Sequence, residues 1–271
     1  MDLERKIEDC DLVFLDLETT GLDVVTGDSI CEIGAFKVKK GKITDKFHSL
    51  VNPGRNIPFE AYQIHKISNE DLKGAPYFKD IADKLIDFLK GCAVCAYNAG
   101  FDIGFIEHHL KKIGYPQLNT PVIDILSMAR DVLKLHRYNL DAAAGSFNID
   151  YDSLHRALDD AHAAYQVFFK LADILKGKKI ETLGEFISLY GFGSEIIKLK
   201  ENERINLLRE AVDKNSILKL RFFSSGETIM KEEKVMPLRI SQEKGDFFLW
   251  YQGVGEESRR IKVNRILDIS V

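Results

Sequence analysis

Apolar residues in the first part of the chain follow the patterns of β-strands. Some runs alternate with polar residues, and others are short and continuous with turn residues at their ends. Turn residues around Lys40-Gly41 join two of these runs into a hairpin. The predicted strands are 11–18, 30–38, 42–51, 93–98 and 121–126.

Between and after these strands, apolar residues recur at the three- and four-residue spacing of amphipathic helices. This spacing predicts helices over 69–90, 102–113 and 157–175. Three adjacent strands followed by alternating helices and strands indicate an α/β fold built on a sheet of mixed direction.

The pattern changes at the Gly- and Lys-containing run 175–186, where we place a domain junction. Beyond it, one helix is predicted over 201–215, and several short β-like runs follow. Closely spaced strands after a single helix are typical of a small barrel or sandwich. We therefore predict a first domain at 1–176, a helical linker at 177–203 and a β domain at 204–271.

The composition is that of a globular protein, with 45% hydrophobic and 30% charged residues among 271. This length is comfortable for two domains. We see no apolar run of the roughly 20 residues needed to span a bilayer, and no hydrophobic segment of a signal peptide near Met1. Four cysteines do not suggest a disulfide scaffold. We therefore expect no membrane association and a cytoplasmic location.

The net charge of −4 is divided unevenly along the chain. Residues 1–177 contain 21 Lys and Arg against 27 Asp and Glu, whereas residues 178–271 contain 17 against 15. Bound cations would offset an excess of carboxylates in the first part. The weakly basic second part could approach phosphates, although its charge is too small to demonstrate this.

Two carboxylates occur at alternate positions of the first strand. Side chains at positions i and i+2 of a strand share a face, so Asp16 and Glu18 are expected to project together. Like charges this close repel one another unless a cation lies between them. The pair therefore favours a metal site, and the following turn, 19–22, could supply backbone N–H groups and a hydroxyl to a substrate.

Two further carboxylates and a histidine occur at the starts of predicted helices. Asp102 follows a strand, Asp160 lies near the start of the last helix, and His155 lies in the loop just before that helix. Asp159 is the alternative to Asp160, and because a helix turns about 100° per residue, only one of them can face the metals well. Four carboxylates can hold two hard divalent cations, and the histidine can take a proton from an attacking water.

These five residues, in their local contexts, closely resemble the DEDDh family of 3′→5′ exonucleases. That family includes the proofreading epsilon subunit of bacterial DNA polymerase III and the exonuclease inserted in the Gram-positive polymerase. The similarity covers about residues 10–175 and rests on the motifs FLDLETTGL, YNAGFD and H-x-A-x-x-D. The spacing of the third motif favours Asp160 over Asp159. Tyr97 and Lys66 depart from the usual family residues.

The resemblance implies a ribonuclease H-like fold and hydrolysis that releases nucleoside monophosphates from the 3′ end of DNA. It implies two Mg²⁺ or Mn²⁺ ions, His155 as the general base, and four metal ligands: Asp16, Glu18, Asp102 and Asp160. The residues expected to contact the 3′-terminal nucleotide are Thr19, Gly21, Leu22, His65, Asn98 and Phe101. For Phe101, a place in the core is an equal alternative.

The expected partner is single-stranded or 3′-ended DNA, with a polymerase or repair complex as a further partner. Two alternatives stay open at this point. The substrate could be RNA or short oligonucleotides, because no residue reveals a contact with a 2′-hydroxyl group. From a different functional class, the protein could grip 3′ ends without cleaving them, although such a protein has no need for four crowded carboxylates.

The C-terminal region, about 204–271, resembles a WYL domain. The similarity rests on the helix around NLLREAVDKN, the run VMPLRI, the run DFFLWYQG and the run RRIKVNRIL, with Phe247-Phe248-Leu249 at the position that names the family. It implies a small SH3-like β-barrel that binds nucleic acid or a nucleotide. Interleaved cationic and aromatic residues also suit single-stranded nucleic acid; they are Arg221, Arg239, Arg259, Arg260, Arg265, Phe222, Phe248, Trp250 and Tyr251. Alternatively, the aromatics form the core and the arginines an ordinary surface, or the domain mediates homodimerisation.

Overall fold

The computed structural model describes residues 1–150, 155–192, 195–224, 229–253 and 257–270, and at 192 and 195–200 it describes the backbone alone. A six-stranded sheet forms the centre of the first part. Its strands are β1 (Asp11–Thr19), β2 (Ile30–Lys39), β3 (Lys42–Leu50), β4 (Ala93–Ala96), β5 (Val122–Asp124) and β6 (Gly191–Phe192). The strand order is β3-β2-β1-β4-β5-β6. Pairs β1–β4 and β4–β5 are parallel and the others are antiparallel, which confirms the mixed sheet.

Helices cover both faces of this sheet. They are α1 (Phe59–His65), α2 (Phe78–Leu89), α3 (Ala99–Lys112), α4 (Ile125–Val132), α5 (Leu140–Ser146), α6 (Ala157–Lys176) and α7 (Leu183–Tyr190). Apolar residues of α2 and α3 form a core on one face. Those of α4, α6 and α7 form the core on the other face.

The alternation of β1 decides which face its carboxylates use. Leu12 and Phe14 lie in the core on the α6 side, whereas Val13 and Leu15 lie in the core with α2 and α3. Asp16 and Glu18 continue the even-numbered series. They therefore project from the strand end towards the side of the sheet that α6 covers.

Several element boundaries differ from the sequence expectation. The helix predicted from residue 69 begins at Phe78, because Gly74 is in a left-handed turn (φ 80°) and Pro76 follows it. Helices α1 and α5 were not predicted. The first core also continues beyond 176, since α7 packs into it and β6 pairs with β5. The division of the chain into three segments stays a prediction.

The second part contains one helix and five strands: α8 (Glu195–Asp213), β7 (Leu218–Ser224), β8 (Ile229–Glu243), β9 (Asp246–Gly253), β10 (Ser258–Lys262) and β11 (Ile266–Ser270). The sheet is antiparallel with the order β10-β9-β8-β7-β11. The predicted helix and strands of this region are therefore present. Residues 225–228 and 254–256, which the predicted strand and motif segments include in part, lie outside the described residues.

This second sheet curls strongly, because its edge strands β10 and β11 are joined by only three residues, Val263–Arg265. Within the described ranges β10 and β11 do not pair with each other, so the strands do not close into a barrel. The predicted SH3-like barrel is thus not confirmed, and an open curled sheet takes its place.

The two sheets are held together by polar contacts and by apolar residues of the second sheet that pack against the first core. Arg265 forms an ion pair with Asp131 of α4, and Arg221 forms one with Glu185 of α7 at 2.8 Å. Phe223 of β7 lies in the first core. Among the helices of the described chain, we find none with both the length and the apolar character needed to cross a bilayer.

Candidate active site

The first turn of α6 meets the end of β1 and completes a cluster of carboxylates. Oxygen atoms of Asp16, Glu18 and Asp160 all lie within 4.8 Å of one another. Asp160 and Glu18 are buried, and Asp16 is partly buried. The neighbouring Asp159 is exposed. The structure therefore brings Asp160, and not Asp159, into the cluster.

Gly34 makes this close approach of α6 possible. It lies on β2 directly opposite Asp16. A Cβ atom at this position would lie 2.3 Å from the carbonyl carbon of Ala157 and 2.4 Å from the nitrogen of Leu158. These are backbone atoms of the first turn of α6, which cannot move aside as a flexible side chain would. A side chain at residue 34 would thus push α6 away from the sheet.

Asp102 approaches β1 from its other face and lies beside, but outside, the group of three carboxylates. It occupies the first turn of α3 and is buried, with Oδ1 accepting a hydrogen bond from the backbone nitrogen of Leu17 at 3.1 Å. Leu17 lies between the two carboxylates of β1. The Asp102 carboxylate is therefore held beside Asp16 and Glu18.

His155 lies at the edge of the cluster, immediately before α6. Its Nδ1 atom is 3.8 Å from Oδ2 of Asp160, and its side chain is 42% exposed. Its backbone has a positive φ of 45°. An imidazole in this position is open to solvent and next to the carboxylates, where it can exchange a proton with a substrate water.

Burial and mutual repulsion dominate the electrostatics of the site. Burial, together with nearby Asp160, Glu32 and Asp102, raises the pKa of Glu18 to about 9. The pKa of Asp16 is raised by burial and then by Asp102, Asp160 and Glu18. Burial likewise raises the pKa of Asp102. The carboxylates can all be ionised near neutral pH only if positive charge is supplied to them.

The donor set fits divalent cations. Hard carboxylate oxygens are the ligands that suit Mg²⁺ and Mn²⁺, and a cation offsets the repulsion that raises these pKa values. Asp16, Glu18, Asp102 and Asp160 would hold such ions. The chemistry of the donors does not choose between the two metals.

Glu32 is a functional residue that the sequence predictions missed. Its carboxylate is 1% exposed and accepts hydrogen bonds from Arg156 Nε at 3.0 Å and from the backbone nitrogen of Ala157 at 3.1 Å. His48 Nε2 lies 2.7 Å from it. Burial alone would raise the pKa of Glu32, but the hydrogen bonds from Arg156, His48 and Ala157 outweigh burial and lower it.

Glu32 therefore fixes the start of α6, which carries Asp160 and follows His155. It lies opposite Glu18 on the neighbouring strand. The signal in the sequence was a charged residue inside the apolar strand ICEIGAF, two positions before the glycine that the helix approaches. A buried charge needs partners, and the partners here come from a distant part of the chain.

Three of the predicted substrate contacts lie in the turn after β1. The Thr19 hydroxyl donates a hydrogen bond to the Gly21 carbonyl at 2.6 Å. Gly21 lies against the Asp28 carboxylate, which a Cβ atom at residue 21 would overlap. Leu22 is 84% exposed. The turn thus presents an apolar side chain to solvent beside the carboxylates.

The other three predicted contacts lie in different surroundings. Asn98 is exposed and precedes α3 with a left-handed backbone (φ 66°). Phe101 is partly buried, and its ring packs 4.9 Å from that of Phe105. His65 is 2% exposed, and its Nδ1 accepts a hydrogen bond from the nitrogen of Ile67. In this structure His65 stabilises the end of α1 through this hydrogen bond. Its contact with a substrate stays a prediction.

Comparisons with known proteins agree with this geometry. The exonuclease family model RNase_T matches residues 13–168, which contain the three carboxylates of the cluster together with Asp102 and His155. The chain is 42% identical over 166 residues to "DNA polymerase III subunit epsilon" of Rickettsia prowazekii, covering 59% of this chain and 72% of that protein. It is 34% identical over 189 residues to "DNA polymerase III PolC-type" of Thermotoga petrophila. That match covers 70% of this chain but 14% of the relative, so the chain spans a small fraction of the polymerase.

A solved structure extends the similarity in fold. E. coli exonuclease I in complex with a dT13 oligonucleotide matches with a TM-score of 0.56 at 11% identity. The match covers 94% of this chain and 64% of exonuclease I. The common fold therefore includes residues beyond the region that the family model matches.

Proposed function

The chain belongs to the RNase_T exonuclease family, and we propose that it hydrolyses phosphodiester bonds from the 3′ end of DNA, releasing nucleoside 5′-monophosphates. The observation that carries the proposal is the meeting of three carboxylates within 4.8 Å, with a fourth carboxylate and one histidine beside them. Asp16 and Glu18 come from β1, Asp102 from α3, and Asp160 with His155 from the start of α6. Carboxylates that repel one another at this distance are a cost to the fold that metal binding offsets.

The residues divide the chemistry among them. Divalent cations held by the four carboxylates would supply Lewis acidity to the scissile phosphate and its attacking water. His155 would accept the proton of that water, from a position at the solvent-exposed edge of the cluster. Thr19, Gly21 and Leu22 would hold the terminal nucleotide, since their turn lies directly after the ligands of β1.

DNA is the proposed substrate because the relatives above are subunits or domains of DNA polymerase III. A polymerase or a repair complex is the corresponding proposed partner. RNA or short oligonucleotides are the alternative, and a protein that binds 3′ ends without cleaving them is the alternative of another class. Glu18, Asp102 and Asp160 are buried together, which speaks against simple binding.

We further propose that the second sheet belongs to a WYL-like domain that binds nucleic acid or a nucleotide. A groove of ≈ 560 Å³ supports this proposal, because five cations and four aromatic rings line it, and none of its described lining residues is a carboxylate. Four of those cations form ion pairs with carboxylates outside the groove. Arg260 pairs with Glu243 at 2.9 Å, and Lys262 with Asp246 at 2.6 Å. A phosphate would therefore have to compete with these exposed ion pairs, which are individually weak.

The test is digestion of 3′-labelled single-stranded DNA, duplex DNA and RNA with Mg²⁺. Loss of the 3′ label as mononucleotide is expected from wild type, and a 5′-labelled strand should shorten progressively. Asp16→Ala and His155→Ala should each remove most activity while the fold, followed by circular dichroism, stays intact. His136→Ala is the matched control, because His136 is an exposed histidine away from the cluster. Binding of 3′ ends without any release of nucleotide would favour the non-catalytic alternative.

A further inference from the structure

An open pocket of ≈ 380 Å³ lies outside the carboxylate cluster, between the start of α2 and the end of α3. The residues of interest on its walls are Ser29, Asn52, Tyr77, Lys79, His109 and Lys112. None of the lining residues in the described chain is acidic. In a protein with an acidic first half, such a local excess of positive charge favours an anionic ligand.

Three donor groups of the pocket, the Lys79 and Lys112 ammonium groups and the Asn52 amide, are available to a ligand. Among the described residues, Lys79 and Lys112 form no ion pair, in contrast to the paired cations of the second sheet. Asn52 uses its carbonyl oxygen to accept from the nitrogen of Gly54 at 2.9 Å, which leaves its amide NH₂ group to donate. Tyr77 is 50% exposed and offers an aromatic face near the Lys79 ammonium. Cations beside an exposed ring are the combination that binds single-stranded nucleic acid.

His109 forms the rigid wall of the pocket and supplies no charge. Its Nδ1 lies 2.9 Å from the carbonyl oxygen of Phe105, to which it donates, and its Nε2 lies 2.9 Å from the Ser29 hydroxyl. Burial lowers the pKa of His109, which favours its neutral form. Ser29 is in turn bonded to Thr20, through its nitrogen to Oγ1 at 3.0 Å. The wall is therefore continuous with the turn proposed to hold the 3′-terminal nucleotide.

Helix α3 sets the distance between this pocket and the carboxylate cluster. Asp102 and His109 are seven residues apart, which is about two turns, so both lie on the same face of the helix. The separation along the axis is roughly 10 Å to His109 and roughly 15 Å to Lys112. A nucleic acid strand that rises ~3.4 Å per nucleotide, as in a duplex, crosses this distance in about three to four nucleotides.

We propose that this pocket binds the substrate strand about three to four nucleotides before its 3′ end. Lys79 and Lys112 contact backbone phosphates, and a base stacks on Tyr77. The proposal rests on the proposed exonuclease function and adds to it a preference for strands long enough to reach the pocket. Because the groups are remote from the scissile bond, they contribute to binding and leave the chemical step unchanged.

The test compares kinetics on two oligothymidylates, one of two nucleotides and one of eight, for wild type and Lys79→Ala/Lys112→Ala. On the longer strand the double variant is expected to show a KM higher by about tenfold with kcat unchanged, and on the shorter strand neither constant changes. On the longer strand, the slope of log(kcat/KM) against the logarithm of the salt concentration should be smaller in magnitude by about 1.4 for the double variant. This is the change expected when two phosphate contacts to a single strand are lost. Lys42→Ala/Lys46→Ala is the matched control, because it removes the same charge from the exposed edge strand β3. It should change the kinetic constants on neither substrate.

An unchanged KM of the Lys79/Lys112 variant on the longer strand, or an equal rise in the control, would overturn the proposed pocket. Failure of the exonuclease proposal itself looks different, because wild type then cleaves neither strand. In that case the affinity for the longer strand, measured by fluorescence anisotropy, still decides the pocket. A loss of affinity confined to Lys79→Ala/Lys112→Ala supports it, and equal affinities reject it.

Discussion

Glu32 and Arg156, which are 124 residues apart in the sequence, form a bidentate ion pair at the start of α6. The Arg156 Nη2 atom lies 2.5 Å from Oε1 of Glu32, and Nε lies 3.0 Å from Oε2. The same carboxylate accepts the backbone N–H of Ala157. One buried side chain thus fixes both the residue after His155 and the helix that carries Asp160.

From this pair we expect Glu32→Gln to lower kcat by about ten- to a hundredfold with little change in KM, as outer residues around metal ligands typically do. The amide cannot match the bidentate carboxylate, so the start of α6 becomes less well placed. Arg156→Lys should give a similar loss, because lysine lacks the planar fork of the guanidinium. Steady-state kinetics on a 3′-labelled strand measure both effects.

His48→Gln is the control for that experiment, since His48 touches the same carboxylate from the exposed side and bonds neither Arg156 nor α6. We expect it to retain most activity. If His48→Gln loses as much activity as Glu32→Gln, the bonds from Glu32 to Arg156 and to the start of α6 do not set the rate, and the positioning role is rejected.

Gly34→Ala should disturb the site by displacing the start of α6. The added Cβ would meet backbone atoms of Ala157 and Leu158, so α6 must move away from β2. Overpacking of this kind costs about 1–3 kcal/mol of unfolding free energy, and activity should fall because Asp160 moves with the helix. Thermal unfolding and initial rates measure the two effects.

The matched control is Gly104→Ala on α3, where a Cβ meets nothing within 4 Å. That substitution should stabilise the helix by roughly 0.5–1 kcal/mol and leave the rate unchanged. A Gly34→Ala protein as stable and as active as Gly104→Ala would contradict the close approach described for α6.

Neighbouring aspartates on α6 provide a third test. Asp160→Asn should reduce kcat on the order of a thousandfold, or about 4 kcal/mol in the activation barrier, because one ligand of the cluster is lost. Asp159→Asn removes the same charge one residue away on the exposed side and should stay within a few-fold of wild type. Equal losses in the two variants would show that net charge, and not the position of Asp160, controls the rate.

The sequence predicted the residues of the site better than the contacts that support them. Strand alternation was enough to place Asp16 and Glu18 on one face, because the period of a strand is fixed by its backbone. The choice between Asp160 and Asp159 needed the family motif, since the residues alone left both open. Glu32 and Gly34 could not be assigned from local pattern, because their roles depend on where α6 packs.

The differences between the predicted and the observed fold also arise where apolar spacing was not a sufficient guide. Helix α2 begins at Phe78 and not at 69. Apolar spacing alone predicts the longer helix, but the left-handed turn at Gly74 prevents a helix there. In the second sheet, local patterns predicted the strands. Closure of a barrel depends on whether edge strands β10 and β11 pair, and in the described residues they do not.

The raised pKa values predict that the metal-free protein loses stability as pH rises. The pKa of Glu18 is about 9 when folded, against an ordinary value of 4.5, so the folded state binds more protons between these values. Unfolding free energy therefore falls with increasing pH across that window and is unaffected by this group below about pH 4.5. We expect the Tm in EDTA to fall by several degrees from pH 5 to pH 9, and Mg²⁺ to restore more of it at the higher pH.

Glu18→Gln should reduce the fall of Tm with pH, because the carboxyl group that loses its proton is no longer present. Glu60 is exposed, and Glu60→Gln should leave the slope of Tm against pH as in wild type. The readout is the difference in slope between the variants, since other groups titrate in the same range. A Glu18→Gln protein whose Tm falls as steeply as that of Glu60→Gln would show that the cluster does not set the dependence.

The ion pair between Asp131 and Arg265 predicts how the two sheets unfold. It is largely buried, with side chains 10% and 18% exposed, and it joins α4 of the first part to the turn between β10 and β11. Breaking a buried pair by removing one charge costs about 3–5 kcal/mol, because the remaining charge is left without compensation. Asp131→Asn should therefore lower the Tm and divide a single calorimetric transition into two, as the second sheet separates before the first unfolds. Asp131→Asn/Arg265→Met should recover part of the loss, since neither charge is then buried alone.

Glu210→Gln provides the control, because its pair with Lys214 is exposed and worth about 0.3–0.5 kcal/mol. Equal effects of Asp131→Asn and Glu210→Gln would mean that the shared apolar contacts around Phe223, and not this ion pair, hold the sheets together.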